Sequence, residues 1–127
     1  MRALAIYTES GFALAPLALA TEGTFERVQG WLKRESTSPG EGLLITPCAS
    51  LHTIGMKFEL DIVFLDRKGK VLKLVAGVKP GRLVWGPWRG LLFPWLVRAL
   101  ELPGGTLAGM GQDLRPGQSL RFGPRQA

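Results

Sequence analysis

Leu60-Asp61-Ile62-Val63-Phe64-Leu65, then Asp66-Arg67-Lys68-Gly69, then Lys70 to Val78: the fold is decided in this stretch. Ile62, Val63 and Phe64 are β-branched and aromatic side chains that favour a pleated surface. Asp66 to Gly69 is a four-residue turn signal, and Lys70 to Val78 returns with Val71, Leu72, Leu74 and Val75 as its apolar content. The stretch reads as an antiparallel hairpin. Asp61 is the exception, an acid between Leu60 and Ile62. It must face water, cap a backbone or pair with a cation.

Working outward, more short strands appear. Leu43 to Thr46 precedes the hairpin. Arg82 to Trp85 and Arg98 to Leu102 follow it, and Ser119 to Phe122 lies after the Pro116-Gly117 turn. Arg2 to Thr8 and Phe12 to Ala20 flank Glu9-Ser10-Gly11 as an N-terminal hairpin. Pro16 confines its second strand to an edge or a bulge. Phe25, Val28, Trp31 and Leu32 recur at helical spacing. Glu26 in the first turn and Lys33 and Arg34 in the last match the helix dipole. One main helix over about 24–34 and a short helical turn over about 105–111 are expected. The whole reads as a compact α+β fold with a barrel-like, mostly antiparallel sheet.

The bulk numbers agree. The chain has 127 residues, 46% apolar and 20% charged, so it is one domain over 1–127 and not a disordered tail. Gly 17 and Pro 9 make it turn-rich. One Cys and one His exclude a disulfide framework and a four-ligand Cys/His zinc site; no metal and no cofactor is expected. Gly11 to Ala20 is apolar, but Glu9 and Ser10 precede it and Pro16 splits it, unlike a signal peptide. No later apolar run approaches the roughly 18 residues of a membrane span. A cytoplasmic location is the expectation.

Net charge is +6 and unevenly spread. Arg67, Lys68, Lys70, Lys73, Lys79, Arg82, Arg89 and Arg98 lie in a stretch, 67–100, that holds no acid. Such a run is a solvated surface, or it attracts nucleic acid or an anionic membrane.

Several motifs in order resemble a known family. Phe25-x-Arg27-x-x-Gly30-Trp31-Leu32-x-x-Arg34 comes first. Pro47-Cys48-x-Ser50-Leu51-His52-Thr53-x-x-Met56-x-Phe58-x-Leu60-Asp61 leads into the hairpin. Leu100-Glu101-Leu102-Pro103-Gly104-Gly105 and Leu114-x-Pro116-Gly117 close the pattern. From about residue 20 to 120 the chain resembles the bacterial and archaeal family called domain of unknown function 192. The resemblance implies a small α+β domain and candidate positions, but no activity. It departs at 83–97, where the family runs more directly from the hairpin to Leu-Glu-Leu-Pro. This chain carries Trp85, Trp88 and Trp95 there, with Arg89 among them.

Three constellations carry chemistry. Cys48, Ser50, His52 and Asp61 are the candidates for nucleophilic catalysis, as a small hydrolase or transferase. On an extended segment neighbours two apart stand about 7 Å apart and Cys48 to His52 about 13 Å, too far for a proton transfer. A helical turn would bring Cys48 and His52 together at i, i+4. Otherwise Cys48 is a small core residue. Arg27, His52, Thr53, Met56, Asp61 and Glu101 are the candidate ligand-binding set, with Arg27 or Arg34 as partner for Asp61. Trp85, Trp88, Arg89 and Trp95 are candidate partner-docking residues, unless their rings fold back into the core. The leading expectation is a non-enzymatic binding or accessory domain. It would recognise a small ligand or a protein through the His52/Asp61 cluster and the Trp/Arg loop.

Overall fold

The computed structural model describes residues 1–22, 31, 34–110 and 114–126, with the backbone alone at Glu22. Nine strands are present among them. They are β1 (Arg2–Tyr7), β2 (Ala13–Glu22), β3 (Glu41–Thr46), β4 (Ser50–His52), β5 (Leu60–Leu65), β6 (Val71–Val78), β7 (Leu83–Trp85), β8 (Arg98–Pro103) and β9 (Arg121–Gly123). Seven form one sheet in the order β6-β5-β8-β3-β2-β1-β9, while β4 and β7 form a separate two-stranded ribbon. The sheet curls into a half-barrel.

Every residue of β5 is buried, from Leu60 to Leu65, because β5 sits between β6 and β8 and is covered on both faces. Alternation then sorts its side chains. Val63 and Leu65 join Leu4, Ile6, Leu14, Leu44, Leu100 and Leu102 in one core. Leu60, Ile62 and Phe64 join Leu43, Ile45, Cys48 and Val97 in the other. The ribbon roofs this second core, contributing Leu51 from β4 and Val84 from β7.

The expected hairpin is β5–β6. Its turn is closed by Asp66, whose Oδ1 accepts the N–H groups of Lys68 and Lys70 at 2.8 and 2.9 Å. The N-terminal hairpin β1–β2 is also present, and its register shifts beside Pro16, between the pairs Leu4↔Ala18 and Ile6↔Ala15. The missing proline N–H is thus absorbed by a bulge.

The fold is more β-rich than the α+β expectation. Helix among the described residues is limited to Arg89–Leu92 and the 3₁₀ turns Pro94–Leu96 and Ala108–Met110. The last of these lies within the turn expected over 105–111, of which Gly111 is outside the described residues. Most of the helix expected over 24–34, including Arg27, also lies outside them. Trp31 and Arg34 are described and neither is helical. Trp31 is buried and packs edge-on against Phe58, ring centroids 6.0 Å apart. One strand pair departs from the antiparallel pattern: β2 and β3 are parallel, Leu17↔Glu41 to Glu22↔Thr46.

Asp61 takes the backbone-capping option. Opposite it, β6 sets two residues, Ala76 and Gly77, against this one, so the ladder breaks there in a bulge with one extra residue. Asp61 Oδ1 accepts the Gly77 N–H at 2.9 Å, and Oδ2 accepts the Leu107 N–H at 2.7 Å. The carboxylate, only 1% exposed, therefore ties β6 and the 104–110 loop to β5. Hydrogen bonds to a charged acceptor contribute about 1.5–3 kcal/mol each. Asp61→Ala should therefore lower unfolding stability by about 3 kcal/mol in a urea titration. A loss under about 1 kcal/mol would show that the clamp is dispensable.

Candidate functional site

The most unusual surface follows from the short strand β7. In Leu83-Val84-Trp85 the pleat turns Val84 inward and Leu83 and Trp85 outward. The chain then lies flush on the start of β4. Gly86 N–H donates to the Ala49 carbonyl at 2.9 Å. A Cβ on Gly86 would overlap that oxygen, and one on Gly90 would come within 2.9 Å of Ala49 Cβ. Two glycines thus seat the inner side of the segment, and its bulky residues have only the outside left.

Between and beyond the glycines the backbone is well ordered by its own bonds. Gly90 N–H reaches Pro87 O, Leu91 reaches Trp88 O, Phe93 reaches Arg89 O and Leu96 reaches Phe93 O, at 2.8–3.0 Å. Pro94 begins the 3₁₀ turn, where its lack of an N–H costs nothing. Phe93 and Trp95 pack edge-to-face, 5.8 Å between centroids. Val97 then re-enters the core.

The outcome is eight large apolar side chains in the open: Leu83, Trp85, Trp88, Leu91, Leu92, Phe93, Trp95 and Leu96. Trp88 and Leu91 are each 73% exposed, and the least exposed, Leu96, is still 42%. The alternative in which the three loop rings fold back into the core is not what the structure has: Trp85, Trp88 and Trp95 are all exposed.

Cations hold the segment at both ends. Lys73 on β6 donates to the Trp85 carbonyl at 2.9 Å, and Arg67 in the β5–β6 turn donates to the Trp95 carbonyl at 2.7 Å. Beside Arg67, the half-buried Arg98 donates to Asp66 O and lies 5.1 Å from the Phe122 ring centre. Burial, and then the neighbouring Arg67 charge, lowers the pKa of Arg98. Lys79, Arg82 and Arg89 are exposed. Between β6 and β7 a cleft of about 590 Å³ opens, lined by Lys73, Gly77, Lys79, Arg82, Leu83 and Trp85.

The other candidates are scattered. Cys48 is buried, with its thiol directed at Ser50 O at 3.2 Å. Ser50 and His52 are exposed on the outer side of β4, across from Trp85 and Leu83. The segment is extended here, so the helical arrangement of Cys48 and His52 does not form. Thr53 is buried, donates to Lys79 O at 2.7 Å and accepts the Arg82 N–H at 2.9 Å, closing the β6–β7 turn. Met56 is half-buried against the second core.

The shared polar pocket is not assembled. Asp61 lies opposite Leu102 and faces the first core, whereas Glu101 lies opposite Ile62 and Leu43 and faces the second. The sheet itself separates the two carboxylates. Arg27 lies outside the described residues. Arg34 is not paired with Asp61; it makes a two-pronged bridge to Glu41 at 2.6 and 2.9 Å, which holds the Glu41 carboxyl below its usual range. Gly104 N–H is taken by Glu59 O rather than left for an anion. Among the described residues no group of three or more His, Cys, Asp or Glu is placed to hold a metal ion. No described helix is long and apolar enough to cross a membrane.

Leu83, Leu91, Leu92, Phe93 and Leu96 were not singled out by sequence, while Arg67 and Lys73 entered only as members of the basic run and not as anchors of this segment. The available signal was composition: in 83–97 the only charged or hydrogen-bonding aliphatic side chain is that of Arg89.

With Cys48 enclosed, a thiol reagent at neutral pH should label it at the rate of unfolding and label it fully in denaturant. Fast labelling of the native protein would restore the nucleophile reading.

No curated protein matches the chain by sequence. Two solved structures share its fold. One is a protein of Sinorhizobium meliloti 1021 provisionally named a transcription regulator, with TM-score 0.73 and 19% identity over 96% of each chain. The other is a protein of unknown function from Novosphingobium aromaticivorans DSM 12444, with TM-score 0.67 and 20% identity over 94% of this chain and 83% of that one. At these identities the likeness is one of fold. The motifs that bracket the β5–β6 hairpin are matched by a family model over residues 13–122, and the chain belongs to that family, domain of unknown function 192, described as Uncharacterized ACR.

Proposed function

We propose that this chain is a non-enzymatic binding or accessory domain whose recognition surface is the apolar and cationic face built on residues 83–96. One observation carries the reading. Eight large apolar side chains stay exposed on a segment fastened to the sheet at both ends. Fully burying a side chain of this kind contributes about 1.5–3 kcal/mol, so a fold that merely needed stability would turn several of them inward. Contiguous apolar exposure of this sort is typical of interaction sites.

The same surface gives His52 a place. His52 and Ser50 lie on the ribbon beside Leu83 and Trp85, around a hollow of about 160 Å³. They supply polar groups at the margin of the face. Asp61 is not part of it, since its carboxylate is committed to two backbone N–H groups inside the fold. Cys48 is enclosed and faces away from His52, which supports a binding role over nucleophilic catalysis.

Tryptophan fluorescence tests the reading. The chain has four tryptophans, of which Trp31 is buried and Trp85, Trp88 and Trp95 are exposed. Acrylamide should quench three of the four freely in a species that sediments as a monomer. Protected tryptophans in a stable dimer that Trp88→Ser dissociates would overturn it, because the face would then serve assembly.

A further inference from the structure

We infer that the face docks on a membrane surface rich in anionic lipid. The inference rests on the binding reading above and adds the chemistry of the partner. Two features choose it. First, the occupant must exclude water. Half of the exposed apolar set is leucine (Leu83, Leu91, Leu92, Leu96), and the rest are Trp85, Trp88, Phe93 and Trp95. Nucleobases reward aromatic rings by stacking, but four leucines gain little from them. An acyl-chain boundary accepts both, with tryptophan suited to the headgroup level.

Second, the occupant must be negative. No acid occurs between Arg67 and Leu100, while Arg67, Lys68, Lys79, Arg82 and Arg89 are exposed there. A second copy of this chain would bring the same cations against themselves, which disfavours self-association through this face. A protein partner would meet few neutral hydrogen-bonding groups: Ser50 and His52 at the margin and the indole N–H groups on the segment, the rest of the polar side chains being cations.

The geometry fits a wedge that enters the surface without crossing it. The helical turn Arg89–Leu92 holds Gly90 inward and projects Leu91 and Leu92 outward. The cations of the β6–β7 cleft, Lys79 and Arg82, line it together with Leu83 and Trp85 of the same face. Each cation near an anionic leaflet is worth roughly fivefold in affinity.

The test is co-sedimentation of the purified chain with phosphatidylcholine vesicles, with and without phosphatidylglycerol, at low and high salt. Binding should be roughly tenfold or more tighter with phosphatidylglycerol, weaken with salt and shift tryptophan emission to the blue. Trp88→Ser with Leu91→Ser should weaken it roughly tenfold or more, and separately Lys79→Glu with Arg82→Glu, which removes two such cations, roughly 25-fold or more. All four side chains are exposed, and unchanged thermal unfolding confirms that each variant is folded. No binding to anionic vesicles, equal binding to neutral ones, or indifference to both variants would overturn the inference. So would tight, salt-sensitive binding to single-stranded DNA without vesicle binding. In those cases freely quenched tryptophans on a monomer would leave the docking surface standing and remove only the lipid. Protected tryptophans would remove both.

Discussion

Strand β5 is covered on both faces, and most of the architecture answers that constraint. A strand buried on both sides needs two cores, so the sheet must be roofed twice. One face closes over Leu4, Ile6, Leu100 and Leu102 by the curl of the sheet. The other needs a lid, and the β4–β7 ribbon supplies it through Leu51 and Val84. A ribbon two strands wide and three residues long has one inward position per strand and must turn the rest outward. The exposed Leu83 and Trp85, and the position of His52, follow from that arithmetic.

The hairpin at 60–78 was legible because its signals are local: β-branched side chains, a turn with Asp66 and Gly69, and a return strand. The bulge at Pro16 was legible for the same reason, since a missing N–H has few tolerable places. The ligand cluster was not. Asp61 and Glu101 look alike in sequence, each an acid within an apolar strand. Their faces are set by the pairing of β5 with β8, in which Asp61 meets Leu102 and Glu101 meets Ile62. Pairing across 40 positions of chain is invisible to a reading of either strand alone. Strand β4 was equally hard to see, because it is three residues long and its partner β7 lies far along the chain.

Basic residues in this protein also have an architectural part. Arg67 and Lys73 cap main-chain carbonyls at the two ends of the apolar segment, and Arg98 does the same for Asp66. A carbonyl acceptor leaves the positive charge uncompensated, where a carboxylate would cancel it. The scaffold is held together without giving up its field.

The seat made by Gly86 and Gly90 on Ala49 has a consequence for sequence change. Folding information in this segment is carried by the glycines and by main-chain bonds, while the outward side chains contribute almost nothing to the interior. The segment behaves like an exchangeable cartridge. Substitutions at Trp88, Leu91 or Leu92 can retune what the surface prefers while the domain beneath keeps its stability, so affinity and foldability are free to evolve separately.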